Sequence, residues 1–319
     1  MAIVLLTGAT GFVGKALIQR LLADGLYSLV AVSRRQKVDL PLDVELVLGA
    51  DIAQETDWSS ILKCVDVVVH LAARAHVIND KATDPLILFR RINTEGTLTL
   101  ARQAVAAGVR RFVFISSIGV NGNRNTRPFT ELDMPRPVEP YAMSKLEAEQ
   151  GLRQLATETD MEVVIIRPPL VYGPNAPGNF GSLMRWVNKG LPLPLGAIHN
   201  RRSLVALDNL VDFIVTCIDH PAAANQTFLV ADGEDISTTE LLSRMAIALG
   251  RPSLLLPVPQ NILKACLKII GRGEMARRLC GSLQVDIAKS RTLLGWKPPI
   301  GVDEGLRRTA QGFLHETVV

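Results

Sequence analysis

The chain has 319 residues, 48% of them hydrophobic and 21% charged, with a formal net charge of +4. That balance excludes a disordered or low-complexity chain and supplies a core for one large or two modest domains. No apolar run reaches the roughly 20 residues that cross a bilayer, and the amino terminus enters an apolar run with no basic leader, so neither a spanning segment nor a signal peptide is expected. Cys64, Cys217, Cys266 and Cys280 are scattered and form no CxxC pair. A disulfide or zinc framework is therefore not expected, and the setting expected is reducing and cytoplasmic. Five histidines without ligand spacing give no metal site. Basic pairs such as Arg110-Arg111 and Arg201-Arg202 are not interleaved with aromatics. That argues against a nucleic-acid surface and leaves anionic small molecules as partners.

In chain order, apolar runs at 2–6, 29–33, 44–48, 65–71, 111–116 and 162–167 predict strands. Helical patterns at 14–24, 57–63, 86–107 and 141–158 alternate with them. Such alternation predicts an α/β chain with a Rossmann-type, doubly wound parallel sheet. After residue 168 the rhythm changes. The Pro-, Gly- and Asn-rich stretch 169–202 reads as loop, 226–231 as a further strand, and 237–250 and 303–314 as helices of a smaller part. Residues 261–270 read as an amphipathic core or subunit-contact helix, with membrane-surface docking the lesser alternative. The expected division is a dinucleotide-binding domain of 1–168 and about 203–235, and a smaller C-terminal α/β substrate domain of about 169–202 and 236–319, with a cleft between them.

The first strand runs into TGATGFVG, in which Gly8, Gly11 and Gly14 enclose Thr10, Phe12 and Val13. A strand, a glycine turn and a helix N-terminus make an anion site: the glycines allow close backbone approach, and the helix end offers free N–H groups and a positive dipole. The spacing is Gly-x-x-Gly-x-x-Gly rather than the commoner Gly-x-Gly-x-x-Gly. An acid at the end of the second strand would bind an adenosine ribose, but this strand ends in Ser33, Arg34 and Arg35. Guanidinium groups there favour a ribose phosphate, so NADP(H) is expected in preference to NAD(H).

Tyr141 and Lys145 stand four apart, on one helical face. An ammonium beside a phenol is expected to lower the phenol pKa and let it exchange a proton with a substrate oxygen. Ser117, at the end of FVFISS, offers a hydroxyl to the same oxygen. His70 ends a buried strand and reads as structural.

TGATGFVG, HLAA (70–73), NTEGT (93–97), YAMSK (141–145), RPPLVYGP (167–174) and LGWKP (294–298) occur in an order that resembles the extended short-chain dehydrogenase/reductase superfamily, the NAD(P)-dependent sugar epimerase/dehydratase group. The resemblance spans nearly the whole chain. It implies Ser117, Tyr141 and Lys145 as a catalytic triad. It implies Asp51 and Ile52 near the adenine, and Leu71, Ala72 and Ala73 along the cofactor cleft. Asn93 would hold backbone and a water near Lys145, and Arg167 and Pro168 would close the strand behind the nicotinamide. Asn179, Phe180 and Arg202 would hold a UDP-sugar, Arg202 through its diphosphate. Asp208 is implied as a structural turn acid, while Ser203 and Ala206 depart from the group's usual Asp and His. Helices 86–107 and 141–158 would form a homodimer interface.

Sugar-nucleotide dehydratases need an acid pair directly after the Ser117 position; Ile118 and Gly119 cannot exchange protons, which leaves hydride chemistry at one carbinol. HLAARAHV, RRFVFISSIGVNG, VVIIRPPLVYGP, NRRSLVALDNLVD and RLCGSLQVD resemble bacterial O-antigen enzymes that reduce UDP-4-keto-6-deoxy-N-acetylglucosamine to UDP-N-acetylquinovosamine. The expected activity is therefore a 4-ketoreductase, with a UDP-hexose 4-epimerase retaining NAD as the alternative. A non-catalytic NADP-binding scaffold is the remote third, disfavoured by the presence of Tyr141 and Lys145.

Overall fold

The computed structural model describes residues 1–34, 40–48, 51–75 and 84–318; Arg35 lies outside them. Seven strands form the main sheet: β1 (Ala2–Thr7), β2 (Tyr27–Ser33), β3 (Val44–Leu48), β4 (Val67–His70), β5 (Arg111–Ile115), β6 (Glu162–Arg167) and β9 (Thr227–Leu229). A small second sheet holds β7 (Leu170–Tyr172), β8 (Arg202–Ala206) and β10 (Asp235–Ile236). The main order is β3-β2-β1-β4-β5-β6-β9, with every neighbouring pair parallel. The order reverses between β1 and β4, and the crevice beyond their carboxyl ends is where doubly wound sheets bind ligands.

Both faces of the sheet are covered, which is why its strands read as unbroken apolar runs. Side chains alternate along each strand. Val4, Leu6, Val67, Val69, Val113 and Val164 face one core, with Leu17 and Leu21 of α1 (Phe12–Asp24) and Leu210 and Ile214 of α6 (Leu207–Asp219). Leu5, Val68, Phe112, Phe114, Val163 and Ile165 face the other, with Leu100 of α3 (Thr97–Ala106) and Leu152 of α4 (Pro140–Glu158). A third core gathers Tyr172, Phe180 and Met184 with Leu241, Met245 and Leu306. Its helices are α5 (Asn179–Asn188), α7 (Thr238–Ala248) and α11 (Val302–Val318). α2 (Pro85–Phe89), α8 (Gln260–Ile269), α9 (Gly273–Cys280) and α10 (Ala288–Leu294) complete the elements.

The structure corrects two of these expectations and refines two others. Residues 57–63 are turns, not a helix. Ile61 and Leu62 N–H both close on the Trp58 carbonyl, and Cys64, at φ 67°, stops propagation after that single turn. The helical pattern 86–107 is broken by a π-helical turn at Arg90–Gly96. The stretch 169–202 is not all loop, since it contains β7 and α5. The 261–270 segment is an amphipathic helix that touches the third core along one edge: α8 buries Leu263 and half-buries Leu267, and its other apolar side chains are exposed.

Candidate active site

Thr7 ends β1, and the chain turns at Gly8 (φ +73°) into α1, with Gly11 N–H donating back to the Gly8 carbonyl at 3.0 Å. A Cβ on Gly8 would stand 2.7 Å from Ala72 N, and one on Gly14 would stand 2.3 Å from Gly8 O. Only hydrogen fits at either place, so the loops after β1 and β4 can close to a narrow crevice. Gly11 caps α1 with no side chain, which leaves the first N–H groups of the helix for an anion. Thr10, Phe12, Val13, Leu71, Ala72 and Ala73 line this turn in partly buried positions. The cradle fits a dinucleotide diphosphate. Gly8→Ala should cost about 1–3 kcal/mol of stability through its backbone conformation alone and weaken dinucleotide binding. Fluorescence titration with NAD beside a thermal melt checks this; unchanged affinity would refute the cradle.

At the end of β2, Ser33 is buried and Arg34 is exposed. Arg34 Nη1 lies 3.4 Å from Asp51 Oδ1, and both side chains are more than half exposed, at 70% and 53%. An acid thus does stand at this rim, contributed by the segment after β3. Asp51 also accepts from the Ile52 N–H at 2.8 Å. Ile52 is buried against Gly96, where a Cβ would stand 2.8 Å from its Cγ2.

Across the crevice, β5 leads into Ser116 and Ser117. Ser117 caps a short 3-10 turn, Ile118–Val120, its Oγ accepting from Gly119 N–H at 3.1 Å. A Cβ on Gly119 would stand 3.2 Å from Ala142 Cβ and 3.3 Å from Ser117 Oγ, so this turn packs directly on the start of α4. Pro140 opens α4 and places Tyr141 and Lys145 one turn apart. The Lys145 ammonium donates to the Ile115 carbonyl at 2.8 Å and lies 4.3 Å from the centre of the Phe114 ring. Burial pulls its pKa down to about 7, against a smaller raising effect of Glu149. Burial pushes the Tyr141 phenol up to about 12. This corrects the expected direction: with Lys145 directed at the strand carbonyl, desolvation alone sets the phenol.

Asn93 stands in the π-helical turn, fully buried. Its amide donates to the Arg74 carbonyl and to Ser144 Oγ, both at 3.1 Å, and its oxygen accepts from Arg74 N–H at 2.8 Å. The extra residue of the π turn brings Asn93 between the loop after β4 and the catalytic-candidate helix; such turns concentrate at functional sites.

Sequence reasoning missed what holds Ser117 from behind. Glu149, fully buried on α4, receives Arg167 through two parallel bonds of 2.9 and 2.5 Å and the Ser116 hydroxyl at 2.5 Å. Arg167 Nη1 reaches Asn121 Oδ1 at 2.8 Å, and the Pro168 carbonyl accepts from Ile118 N–H. The Arg167 guanidinium is thus spent inside the protein, fixing the turn that carries Ser117. The available signal was spacing: Tyr141, Lys145 and Glu149 recur at i, i+4 and i+8 on one face.

His70 is buried, its two ring nitrogens 2.7 and 2.9 Å from the hydroxyls of Thr7 and Thr97. Burial, then the Lys145 charge, lowers its pKa to about 3. The folded value lies below the ordinary 6.5, so the unfolded chain binds the extra proton. His70 contributes stability fully present above about pH 6.5 and lost as pH falls toward 3. In urea titrations, His70→Gln should flatten the slope of stability against pH across that window; an unchanged slope would contradict the assignment.

On the substrate side, the Phe180 ring is buried and stacked on Tyr172 at 5.4 Å. The ring packs the third core, which leaves the backbone of Phe180 to face a ligand. The side chain of Asn179 lies outside the described residues. Arg202 donates to the carbonyls of Arg278 (2.8 Å) and Gly281 (3.2 Å). Burial and then the Arg278 charge lower its pKa. Two guanidiniums therefore converge here, and Arg278, which sequence reasoning missed, also pairs with Glu139 beside Tyr141 at 3.2 Å. Asp208 pairs with Arg308 at 3.0 Å, an exposed structural contact. A cavity of about 590 Å³ opens toward the amino ends of β1, β2 and β3, bordered by Met1, Ser28, Glu45 and Lys63. It is at the wrong end of the sheet for the glycine turn and takes no part in this site.

A parallel sheet with a glycine cradle at its switch point defines the class: a Rossmann-type, dinucleotide-binding α/β protein. More narrowly, the chain is an enzyme of the NAD dependent epimerase/dehydratase family, which matches residues 4–231. It is 51% identical over 314 residues to a UDP-glucose 4-epimerase of Vibrio cholerae, covering 98% of this chain and 95% of that one. It is 28% identical to the N-acetyl-alpha-D-glucosaminyl-diphospho-ditrans,octacis-undecaprenol 4-epimerase of Escherichia coli O157:H7, covering 98% and 96%. Among solved structures, MoeE5 in complex with UDP-glucose and NAD superposes with a TM-score of 0.79 at 26% identity, covering 100% of both chains.

Proposed function

We propose that the protein is a UDP-hexose 4-epimerase that keeps NAD bound, acting in surface-polysaccharide synthesis. The observation that carries this reading is the 51% identity, nearly end to end, with a UDP-glucose 4-epimerase. It shifts the balance away from the 4-ketoreductase expected from sequence. Bound dinucleotide supplies hydride removal and return at the sugar C4. Ser117 holds the C4 oxygen, Tyr141 takes its proton and gives it back, and Lys145, one turn along α4, holds the ribose of the bound dinucleotide. The uncapped end of α1 holds the dinucleotide diphosphate, and Arg202 with Arg278 holds that of the sugar nucleotide. Arg34, already facing Asp51, suits a plain ribose better than its sequence position suggested. The third core forms the substrate unit, and α4 with the α2–α3 helix forms a homodimer face.

A second reading is favoured by one observation: no acid follows β2 itself, and Arg34 is exposed. It is NADPH-dependent reduction of a UDP-4-keto-6-deoxy-hexosamine by the same three residues. Incubating the purified protein with UDP-galactose and no added cofactor tests the choice. UDP-glucose formation supports the epimerase. No interconversion, together with NADPH oxidation by the 4-keto sugar, supports the reductase.

A further inference from the structure

The segment from Leu254 to Arg272 carries chemistry that the proposed activity does not use. From Leu241 to Gly273 the sequence has no Asp or Glu and five cations: Arg244, Arg251, Lys264, Lys268 and Arg272. Arg244 pairs with Glu234 and Asp303, and Arg251 donates to Asn188. No carboxylate pairs with Lys264, Lys268 or Arg272 among the described residues, and all three are exposed. Large apolar side chains stand among them: Leu254, Leu256, Ile262, Ile270 and Ile269, the last 84% exposed. On α8, Ile262, Cys266 and Ile269 recur at i, i+4 and i+7, forming an exposed apolar stripe. Lys264 and Lys268 recur at i and i+4 along a second stripe, and Arg272 follows just beyond the end of α8. Exposed apolar surface of this kind marks an interaction face. A helix with isoleucines on one flank and unpaired lysines on the other matches the boundary between acyl chains and anionic headgroups.

We propose that the Leu254–Arg272 segment docks the enzyme on an anionic lipid bilayer, Ile262, Ile269 and Ile270 entering the headgroup boundary and Lys264, Lys268 and Arg272 meeting lipid phosphates. A second copy of the chain fits this face less well. In a two-fold contact the same patch meets itself, and Lys264 and Lys268 would face their own equivalents, because the acid nearest in sequence, Glu274, already pairs with Arg277. The docked face stands close to the site. Gln260, the first residue of α8, donates to the Cys280 carbonyl, and Arg202 donates to the adjoining Gly281 carbonyl. Docking therefore holds the arginine end of the cleft near the membrane plane.

Co-sedimentation of the full chain with vesicles tests this without reference to turnover, so its failure is separate from failure of the proposed activity. Vesicles of phosphatidylcholine with phosphatidylglycerol should bind the protein at low salt, and pure phosphatidylcholine should not. Lys264→Glu with Lys268→Glu, and separately Ile262→Ser with Ile269→Ser, should each weaken binding about tenfold or more. These side chains are exposed, and thermal melts should match the parent. Absence of binding to anionic vesicles, or equal binding by parent and both double variants, would overturn the proposal. Self-association abolished by Ile262→Ser with Ile269→Ser, without vesicle binding, would overturn it in favour of a second copy.

Discussion

Tyr141→Phe is expected to lower turnover by about 100- to 10,000-fold, the span that one positioned proton-transfer group contributes. The phenol sits at the start of α4, edge-on to the Phe89 ring at 6.1 Å, and these packing contacts do not need the hydroxyl. Stability and dinucleotide affinity should therefore stay close to the parent. Steady-state kinetics beside a dinucleotide titration separate the two effects. A variant with full turnover would remove Tyr141 from the chemistry. One that lost turnover and dinucleotide binding together would mark it as a structural residue.

Glu149→Ala should be the most destabilising of the substitutions considered, at about 3–5 kcal/mol. It leaves the Arg167 guanidinium buried without its carboxylate and removes the acceptor of the Ser116 hydroxyl. Exchanging both partners, Glu149→Met with Arg167→Met, should recover much of the loss, because no uncompensated charge remains inside. Turnover of the double variant should still fall, since Arg167 no longer reaches Asn121 behind Ser117. Urea unfolding of the single and double variants reads the effect. A loss below about 1 kcal/mol for Glu149→Ala would show that the pair is not the buried unit described.

The parts of the molecule legible in the sequence are those whose cause is local. Gly8, Gly11 and Gly14 announce a turn because backbone conformation and close approach act within a few residues. The strands announce a doubly covered sheet because both faces of each are apolar. The parts that were hidden depend on distant partners. Nothing near Arg167 shows that Glu149 and Asn121 will take its guanidinium. The Arg34–Asp51 contact joins residues just beyond the ends of two parallel strands, and their separation in sequence hides it. The Phe180 ring meets Tyr172, eight residues earlier, and nothing beside Phe180 in sequence shows that packing. The spacing of Tyr141 and Lys145 predicts a lowered phenol pKa, but spacing does not reveal that the Ile115 carbonyl competes for the ammonium. The π-helical turn around Asn93 has no residue signal of its own, since Arg90–Gly96 fits an ordinary helix equally well.

The most direct measurement denatures the protein, purified with no cofactor added, and identifies whatever dinucleotide is released. The epimerase account predicts NAD in near-stoichiometric amount, because a reaction with no net oxidation or reduction would need no exchange of cofactor. A cofactor-free protein that binds NADPH reversibly and NAD weakly would contradict it, and would return the 4-ketoreductase and the phosphate reading of Arg34 to first place.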